Sequence, residues 1–349
     1  MARQIAAALE ALGHAVTPVS EARAYLSEPD EAALARRKAE AEDRLARLED
    51  EWQTGAARPE LWFTYHSYYK APDLLGPQVR SRLDIPYVVA EASDSQRRAI
   101  GEWAQHVALA RAGFAAADLH LCFTDRDRQG IEPHAGARTR FLAFPPFITA
   151  AGLRRDAAQR SGPLRLICVA MMRAGVKRQS YEALARILRT LLHREWTLTI
   201  VGDGSERDEI RQSFAAIPAA RLAWTGALPA QAVAEALSAH DVFVWPGLGE
   251  AYGLVYLEAQ AAGLPVVAYA SGGVPATLRP GETGLLAPEG DEAALAAALD
   301  RLLTDPALRL ALGEEAAAFI ARERLQDSAC RILSAGFDMI AADRAGAGS

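Results

Sequence analysis

Glu250 and Glu258 stand eight positions apart around Tyr252-Gly253-Leu254, a spacing that lets two carboxylates flank one anionic ligand. The run Asp241–Trp245 with Pro246 leads into this segment, and Ala259–Gly263 followed by the apolar run Pro265–Ala270 leads out of it. The pattern predicts a strand, a loop, a helix and another strand. A loop that opens a helix presents backbone N–H groups with no intrahelical acceptor, and a phosphate settles readily against them. A carboxylate on either side suits hydroxyls that flank the phosphates, and a nucleotide-sugar, which runs sugar, diphosphate, ribose, has that layout. In isolation the same two glutamates more often describe a helix-surface charge at Glu258 and a dipole partner of the helix N-terminus at Glu250.

His66 ends the apolar run Leu61–Tyr65 within Phe63-Thr64-Tyr65-His66-Ser67-Tyr68-Tyr69-Lys70. A lone histidine there is more often structural than catalytic. Tyr65, Tyr68 and Tyr69 can stack on an acceptor sugar ring or pack at a core or rim, and Glu91 closes the next predicted strand. Asp125-Arg126-Asp127 has the form of a metal-binding D-x-D, but it follows a strand without companion ligands and reads as a polar turn that starts a helix. Gly202-Asp203-Gly204 is a weak glycine signal, and no G-x-G-x-x-G is present. Glycoside hydrolysis needs carboxylates flanking a scissile bond rather than two on one strand–helix unit, and no Ser or Cys nucleophile motif occurs.

These residues need a scaffold of two domains, as the length of 349 residues suggests. A composition 50% hydrophobic and 23% charged is that of an ordinary globular protein, and the formal charge of −6 argues against nucleic acid as a partner. No Lys/Arg-rich block and no apolar run near the ~20 residues of a membrane-spanning helix occur, which leaves at most weak membrane association. Cys122, Cys168 and Cys330 lack metal or redox spacing, and no basic start precedes an apolar leader, so a reducing, cytoplasmic setting is expected.

The second half alternates strand-like runs (Leu164–Ala170, Thr197–Val201, Asp241–Trp245, Pro265–Ala270, Gly284–Ala287) with helical patterns (Tyr181–His193, about Glu206–Phe214, Gln231–Ala239, Tyr252–Ala262, Glu292–Leu303). That alternation predicts a parallel sheet with ligands beyond its carboxyl edge, where Met171–Lys177, Gly202–Gly204 and Pro246–Gly253 fall. The first half alternates less cleanly, with strands expected at Ala15–Val19, Leu61–Tyr65, Tyr87–Ala90, Leu119–Phe123 and Thr139–Ala143. A charged helix is expected from about Pro29 to Glu51 with Ser27 as N-cap, and the polar stretch Thr149–Gly162 is the expected linker. Met1–Leu12 is already helical in pattern, so the strand and turn that ordinarily open a wound α/β domain are missing from its start.

The segment Gly249–Asp291 carries Glu250…Glu258, Ala262-Gly263-Leu264-Pro265-Val266-Val267, Ser271-Gly272-Gly273-Val274-Pro275 and Gly281-Glu282-Thr283-Gly284-Leu285-Leu286. Together with Val201-Gly202-Asp203-Gly204 and Trp224-Thr225-Gly226 it resembles the family-four retaining glycosyltransferases of GT-B fold, across residues 164–303. Ala11–Val16 looks like that family's N-terminal domain. The resemblance implies an α/β protein of two Rossmann-like domains whose parallel sheets face each other across a cleft: 1–155 on the acceptor side, and 160–315 binding the nucleotide-sugar. A terminal helix at 316–340 would pack back on the first. It implies hexose transfer from a nucleoside-diphosphate sugar to a hydroxyl acceptor (glycan, lipid or small metabolite), with retention of configuration, no cofactor and no obligatory metal.

On this resemblance, Glu250 contacts donor-sugar hydroxyls, Glu258 the ribose, and the backbone of Ala251, Tyr252, Gly253 and Leu254 the phosphates. Lys177 falls at the family's phosphate lysine. The family's phosphate arginine is replaced by Met171, with Arg173 in the same loop as its substitute. Leu228 lies in the base-contacting stretch, and His66 resembles the histidine that faces the transfer point, where it hydrogen-bonds the sugar or relays the acceptor proton. Glu250, His66 and Lys177 are thus the expected catalytic group. Two alternatives stay open: a non-catalytic or truncated relative that only binds nucleotide-sugar, and a different GT-B chemistry such as a phosphorylase or epimerase.

Overall fold

Short apolar runs covered by helices on both faces make two separate parallel sheets. The computed structural model describes residues 1–19, 25–149 and 162–347, and the chain divides into two units: Met1–Pro145 with Ala329–Ser349, and Pro146–Ser328. Among the described residues no helix is long and apolar enough to cross a membrane.

The first unit orders β1 (Trp62–Tyr65), β2 (Tyr87–Ala90), β3 (Leu119–Cys122) and β4 (Arg140–Ala143) consecutively in one parallel sheet. β2 and β3 are buried at every residue, as strands sandwiched between helix layers must be. No strand precedes the first helix, Ala2–Ala11, among the described residues, and the strand expected at Ala15–Val19 is irregular chain. Pro18 lacks a ladder donor, and no neighbouring strand pairs with this segment.

The charged helix spans Glu31–Thr54, and its N-cap is Asp30, not Ser27: the Asp30 carboxylate accepts from Ala33 N–H at 2.9 Å. The physical reason is Pro29, which biases the residue before it away from helix. Thr124 caps Asp125–Ile131 through Asp127 N–H, so the D-x-D opens a helix.

The expected boundary and terminal helix both shift. Phe144 N–H still bonds Cys122 O at 2.7 Å in the first unit, whereas Ile148 N–H bonds Arg324 O at 2.9 Å in the second. Between them Pro145 and Pro146 offer no donor, so the sheet's hydrogen bonding stops there; residues 150–161 of the expected linker lie outside the described residues. The helix expected at 316–340 is two, Pro306–Glu323 and Gln326–Ala347, parted where Leu325 bridges Ile148. From Ala329 on, the last helix belongs to the first unit: Gly336 sits where a Cβ would come within 2.8 Å of Leu119, and Asp343 takes a bidentate bond from Arg140.

The second unit sets six parallel strands in the order β10-β9-β8-β5-β6-β7: β5 (Leu164–Val169), β6 (Trp196–Val201), β7 (Leu222–Gly226), β8 (Val242–Val244), β9 (Val266–Tyr269) and β10 (Gly284–Ala287). Strand order reverses between β5 and β8, so the loops leaving their carboxyl ends part to opposite sides and open a crevice there. β7 is the strand the sequence reading did not predict; it lies at the sheet edge, and its residues alternate in burial.

His120 lies fully buried in β3, with one ring nitrogen 3.0 Å from Phe114 O and the other without a partner among the described residues. Burial lowers its pKa to about 4. The unfolded chain takes up this proton near pH 6.5 while the folded chain refuses it, so stability falls as pH drops from about 6.5 to about 4, by up to ~3 kcal/mol. Urea unfolding across that range should show His120→Leu losing less stability than the wild type; parallel losses would remove His120 as the cause.

Candidate functional site

The second unit's crevice is built around a paired charge. Lys177 lies in the first turn of helix Val176–Thr190, which follows β5, and its ammonium donates to Glu250 Oε1. Trp245, at the end of β8, donates its indole N–H to the same oxygen at 3.1 Å, and Lys177 Nζ stands 5.7 Å from that ring's centroid. A cation at a helix N-terminus is unfavourable by ~0.3–1 kcal/mol unless an anion answers it, and Glu250 supplies that anion. The two side chains are 23% and 14% exposed, so the pair is part-buried and open on one side.

Two helices present their N-termini here, Val176–Thr190 and Leu254–Ala261. Neither has a side-chain cap or an acidic residue in its first turn. Both starting points are glycines, Gly175 (φ 77°) and Gly253 (φ 75°). Their first N–H groups and dipoles are therefore left for an anion. Leu248 N–H bonds Ser180 Oγ at 3.0 Å, which ties the β8 loop to the helix that carries Lys177.

Close backbone contacts fix these loops. A Cβ on Gly273 would lie 1.6 Å from Ala251 O, and one on Gly272 2.1 Å from Glu250 O, so the 271–273 turn packs directly under the Glu250 loop. Gly273 N–H bonds Glu250 O at 2.9 Å, and Ser271 Oγ accepts from Gly249 N–H at 2.9 Å. The sequence reading missed Trp245 and Ser271; the signal for Trp245 was a tryptophan ending a buried strand, whose N–H must find an acceptor.

The other expected ligands fall on the same unit. Glu258 is in the helix Leu254–Ala261, reached by solvent yet crowded enough by protein that loss of hydration raises its pKa, and its carboxylate has no partner among the described residues. Arg173 is exposed, with no side-chain partner among the described residues, and Met171 is 48% exposed. Leu228 follows β7 and packs partly against the core. Ala251 is exposed beside Glu250, and Tyr252 half-buried.

His66 and Glu91 belong to the first unit. They follow the paired residues Tyr65 and Ala90 at the carboxyl ends of β1 and β2. Both have left-handed backbones, φ 66° and 56°, a conformation that costs a non-glycine residue on the order of 1–3 kcal/mol. His66 Nδ1 lies 3.2 Å from Glu91 Oε1. Tyr65, Tyr68 and Tyr69 are half-buried: Tyr68 packs 4.7 Å from the His66 ring, and Tyr69 packs edge-on against Trp103. The tyrosines thus pack on one another and on the imidazole.

A family model described as Glycosyl transferases group 1 matches residues 163–305. These residues belong to the group 1 glycosyl transferases. A sulfoquinovosyl transferase of Arabidopsis thaliana is 34% identical over 157 residues, 44% of this chain and 30% of that protein. A GDP-mannose-dependent phosphatidylinositol monomannoside mannosyltransferase of Mycolicibacterium smegmatis is 34% identical over 158 residues, 42% of this chain and 41% of that protein. The chain thus spans about a third of the length of these curated relatives. The solved sucrose-phosphate synthase of Thermosynechococcus elongatus superposes with a TM-score of 0.71 at 19% identity, covering 98% of this chain and 93% of that one, and the shared fold is GT-B. The Lys177–Glu250 pair and both uncapped helix N-termini therefore lie inside the group 1 segment.

Because the folded-state pKa of Glu258 is raised, its ionised form is a cost that appears as pH rises through that value. Glu258→Gln should raise Tm by about a degree or two at pH 7.5 and not at pH 4. Equal shifts at both pH values in calorimetric scans would mean that the carboxylate is not strained by its surroundings.

Proposed function

We propose that the protein transfers a hexose from a nucleoside-diphosphate sugar to a hydroxyl acceptor, with retention of configuration. The observation that carries this reading is the Lys177–Glu250 pair set beside two uncapped helix N-termini at the reversal of strand order. The GDP-mannose dependence of the mycobacterial relative, and the group 1 match over the same residues, support a nucleotide-sugar donor.

Breaking the bond between the anomeric carbon and the diphosphate leaves negative charge on the departing oxygen and positive charge on the sugar ring. Fixed donors aimed at the departing phosphate lower that barrier most. Lys177, Arg173 and the N–H groups of 252–254 supply them, so the reading places the countercharge in the protein. When the donor binds, Lys177 exchanges Glu250 for phosphate oxygen, and Glu250 exchanges Lys177 for hydroxyls of the sugar. Glu258 accepts from the ribose hydroxyls. His66 hydrogen-bonds the sugar or relays the proton of the acceptor hydroxyl. The acceptor belongs to the hydroxyl-bearing glycans, lipids or small metabolites.

A nucleotide-sugar that binds only the folded state raises its stability by mass action, about 2.7 kcal/mol at a hundred times Kd. Thermal unfolding with UDP-glucose, GDP-mannose and ADP-glucose should show a rise of several degrees with one of them, and release of its nucleoside diphosphate. A folded protein that neither shifts nor hydrolyses any nucleotide-sugar defeats the reading, and a shift without turnover favours a binding protein.

Calorimetry with UDP, GDP and ADP separates the cations. Lys177→Ala should weaken diphosphate binding by about 10- to 100-fold, since a charge-assisted hydrogen bond is worth roughly 1.5–3 kcal/mol. Arg173→Ala should cost less, about 3- to 10-fold, because an exposed side chain must be ordered to reach the ligand. An unchanged affinity for Arg173→Ala removes it from the site.

A further inference from the structure

Two neighbouring residues that are not glycine leave adjacent strands with left-handed backbones, and their side chains meet. Up to that point the ladder is regular: His66 N–H bonds Ala90 O at 2.9 Å and Glu91 N–H bonds Leu121 O at 3.1 Å. Ending a strand does not require positive φ. Its occurrence at both His66 and Glu91 turns the two side chains toward each other, and strain of this kind gathers where a side chain must be aimed. Glu91 is 9% exposed, and its second oxygen, Oε2, is buried without a hydrogen-bond partner among the described residues. The carboxylate's side-chain contact is therefore His66 Nδ1, at 3.2 Å from Oε1. The imidazole is 43% exposed, and Tyr68 and Tyr65 pack at 4.7 and 5.8 Å from its centroid, so its plane is held while one edge stays open.

An ionised carboxylate only accepts hydrogen bonds, so a hydrogen bond across this 3.2 Å approach requires the proton on Nδ1, and a neutral imidazole then carries its lone pair on Nε2. We propose that Glu91 is a positioning residue that locks His66 in the Nδ1–H tautomer, so that Nε2 is the nitrogen that accepts from a substrate hydroxyl. The consequence for transfer rests on the reading of His66 given above. The lock itself does not. Glu91 touches no reacting atom in this scheme; it acts through His66.

Selective 15N labelling of histidine, with His66→Gln to assign the signals, reads the tautomer directly in long-range proton–nitrogen spectra at pH 8. The wild type should show a protonated Nδ1 and an unprotonated Nε2 at His66. Glu91→Ala should shift the ring toward the Nε2–H form that a free imidazole prefers, and Glu91→Gln, whose amide oxygen still accepts, should keep the wild-type form. Wild-type signals in Glu91→Ala, or a protonated Nε2 in the wild type, overturn the proposal. Melting curves of all three variants check that each is folded, and should Glu91→Ala fail to fold, the wild-type tautomer itself decides: a protonated Nε2 overturns the proposal.

Release of nucleoside diphosphate from UDP-glucose, GDP-mannose and ADP-glucose gives the second readout. Glu91→Ala should lower kcat by about 10- to 100-fold with donor KM unchanged, and should add nothing in a His66→Gln background. A further loss in that background means that Glu91 acts on its own, and overturns the proposal. Unchanged release by His66→Gln, with the tautomer still dependent on Glu91, supports the lock and defeats the transfer role of His66 instead.

Discussion

The crevice of the second unit is organised by one ion pair. Lys177 stands at the positive end of a helix whose first turn offers no acidic residue to offset it, and Glu250, from the loop beyond the neighbouring strand, is the anion that does. Only the reversal of strand order between β5 and β8 sends the two loops to the same crevice. The short approaches of the 271–273 turn and the Ser180 and Ser271 hydrogen bonds then hold the loops in place. Trp245 adds a second donor to the Glu250 oxygen that Lys177 already uses, so the carboxylate is oriented from two sides. On the proposed reading this pair is a placeholder: it is neutral before a ligand arrives, and a donor takes over both halves by offering phosphate to the lysine and hydroxyls to the glutamate.

Three residues that the proposed reading uses carry a cost in stability. Glu258 keeps an unpartnered carboxylate where its surroundings resist ionisation, and His66 and Glu91 hold backbones that their side chains disfavour. Residues that cost stability in the free protein persist where a rigid frame over-determines them. Here the frame is the parallel ladder. The N–H groups of His66 and Glu91 are pinned by Ala90 and Leu121, so the strain cannot relax by sliding the strands.

Much of this was legible in the sequence because parallel strands buried on both faces write themselves as continuous apolar runs. Tyr87–Ala90 and Gly284–Ala287 match their expected bounds, and the other predicted runs, Ala15–Val19 apart, differ from the observed strands only at their ends. β7 escaped because an edge strand is half solvated and its Leu-Ala-Trp-Thr-Gly run is short and mixed. Ala15–Val19 misled for the opposite reason: its apolar residues fit a strand, but pairing partners are a tertiary property that no local pattern records. The capping misreading has the same root, since Ser27 and Asp30 both suit an N-cap and only the constraint ahead of Pro29 separates them. At the site, the candidate residues could be picked out one by one, but not which side chains pair. Lys177 and Glu250 are far apart in sequence, and His66 and Glu91 become neighbours only once the register Tyr65↔Ala90 is known.

On the proposed reading, Met171 in place of an arginine leaves the diphosphate to Lys177 and Arg173, and the two differ in cost. A phosphate cation is most useful when it is ordered before the ligand arrives, because its rotamer entropy is then spent in folding rather than in binding. Lys177 meets that condition, held between Glu250 and the Trp245 ring. Arg173 does not: it is exposed and unpartnered among the described residues, and ordering its long side chain costs about 1.5–2 kcal/mol before any hydrogen bond forms. A guanidinium that binds bidentately recovers more than this, so Arg173 can still favour the diphosphate, though by less than an arginine already held in place. The backbone N–H groups at the start of the helix Leu254–Ala261 carry no such cost, and on the proposed reading the electrostatic work at the phosphate falls mainly on them and on Lys177.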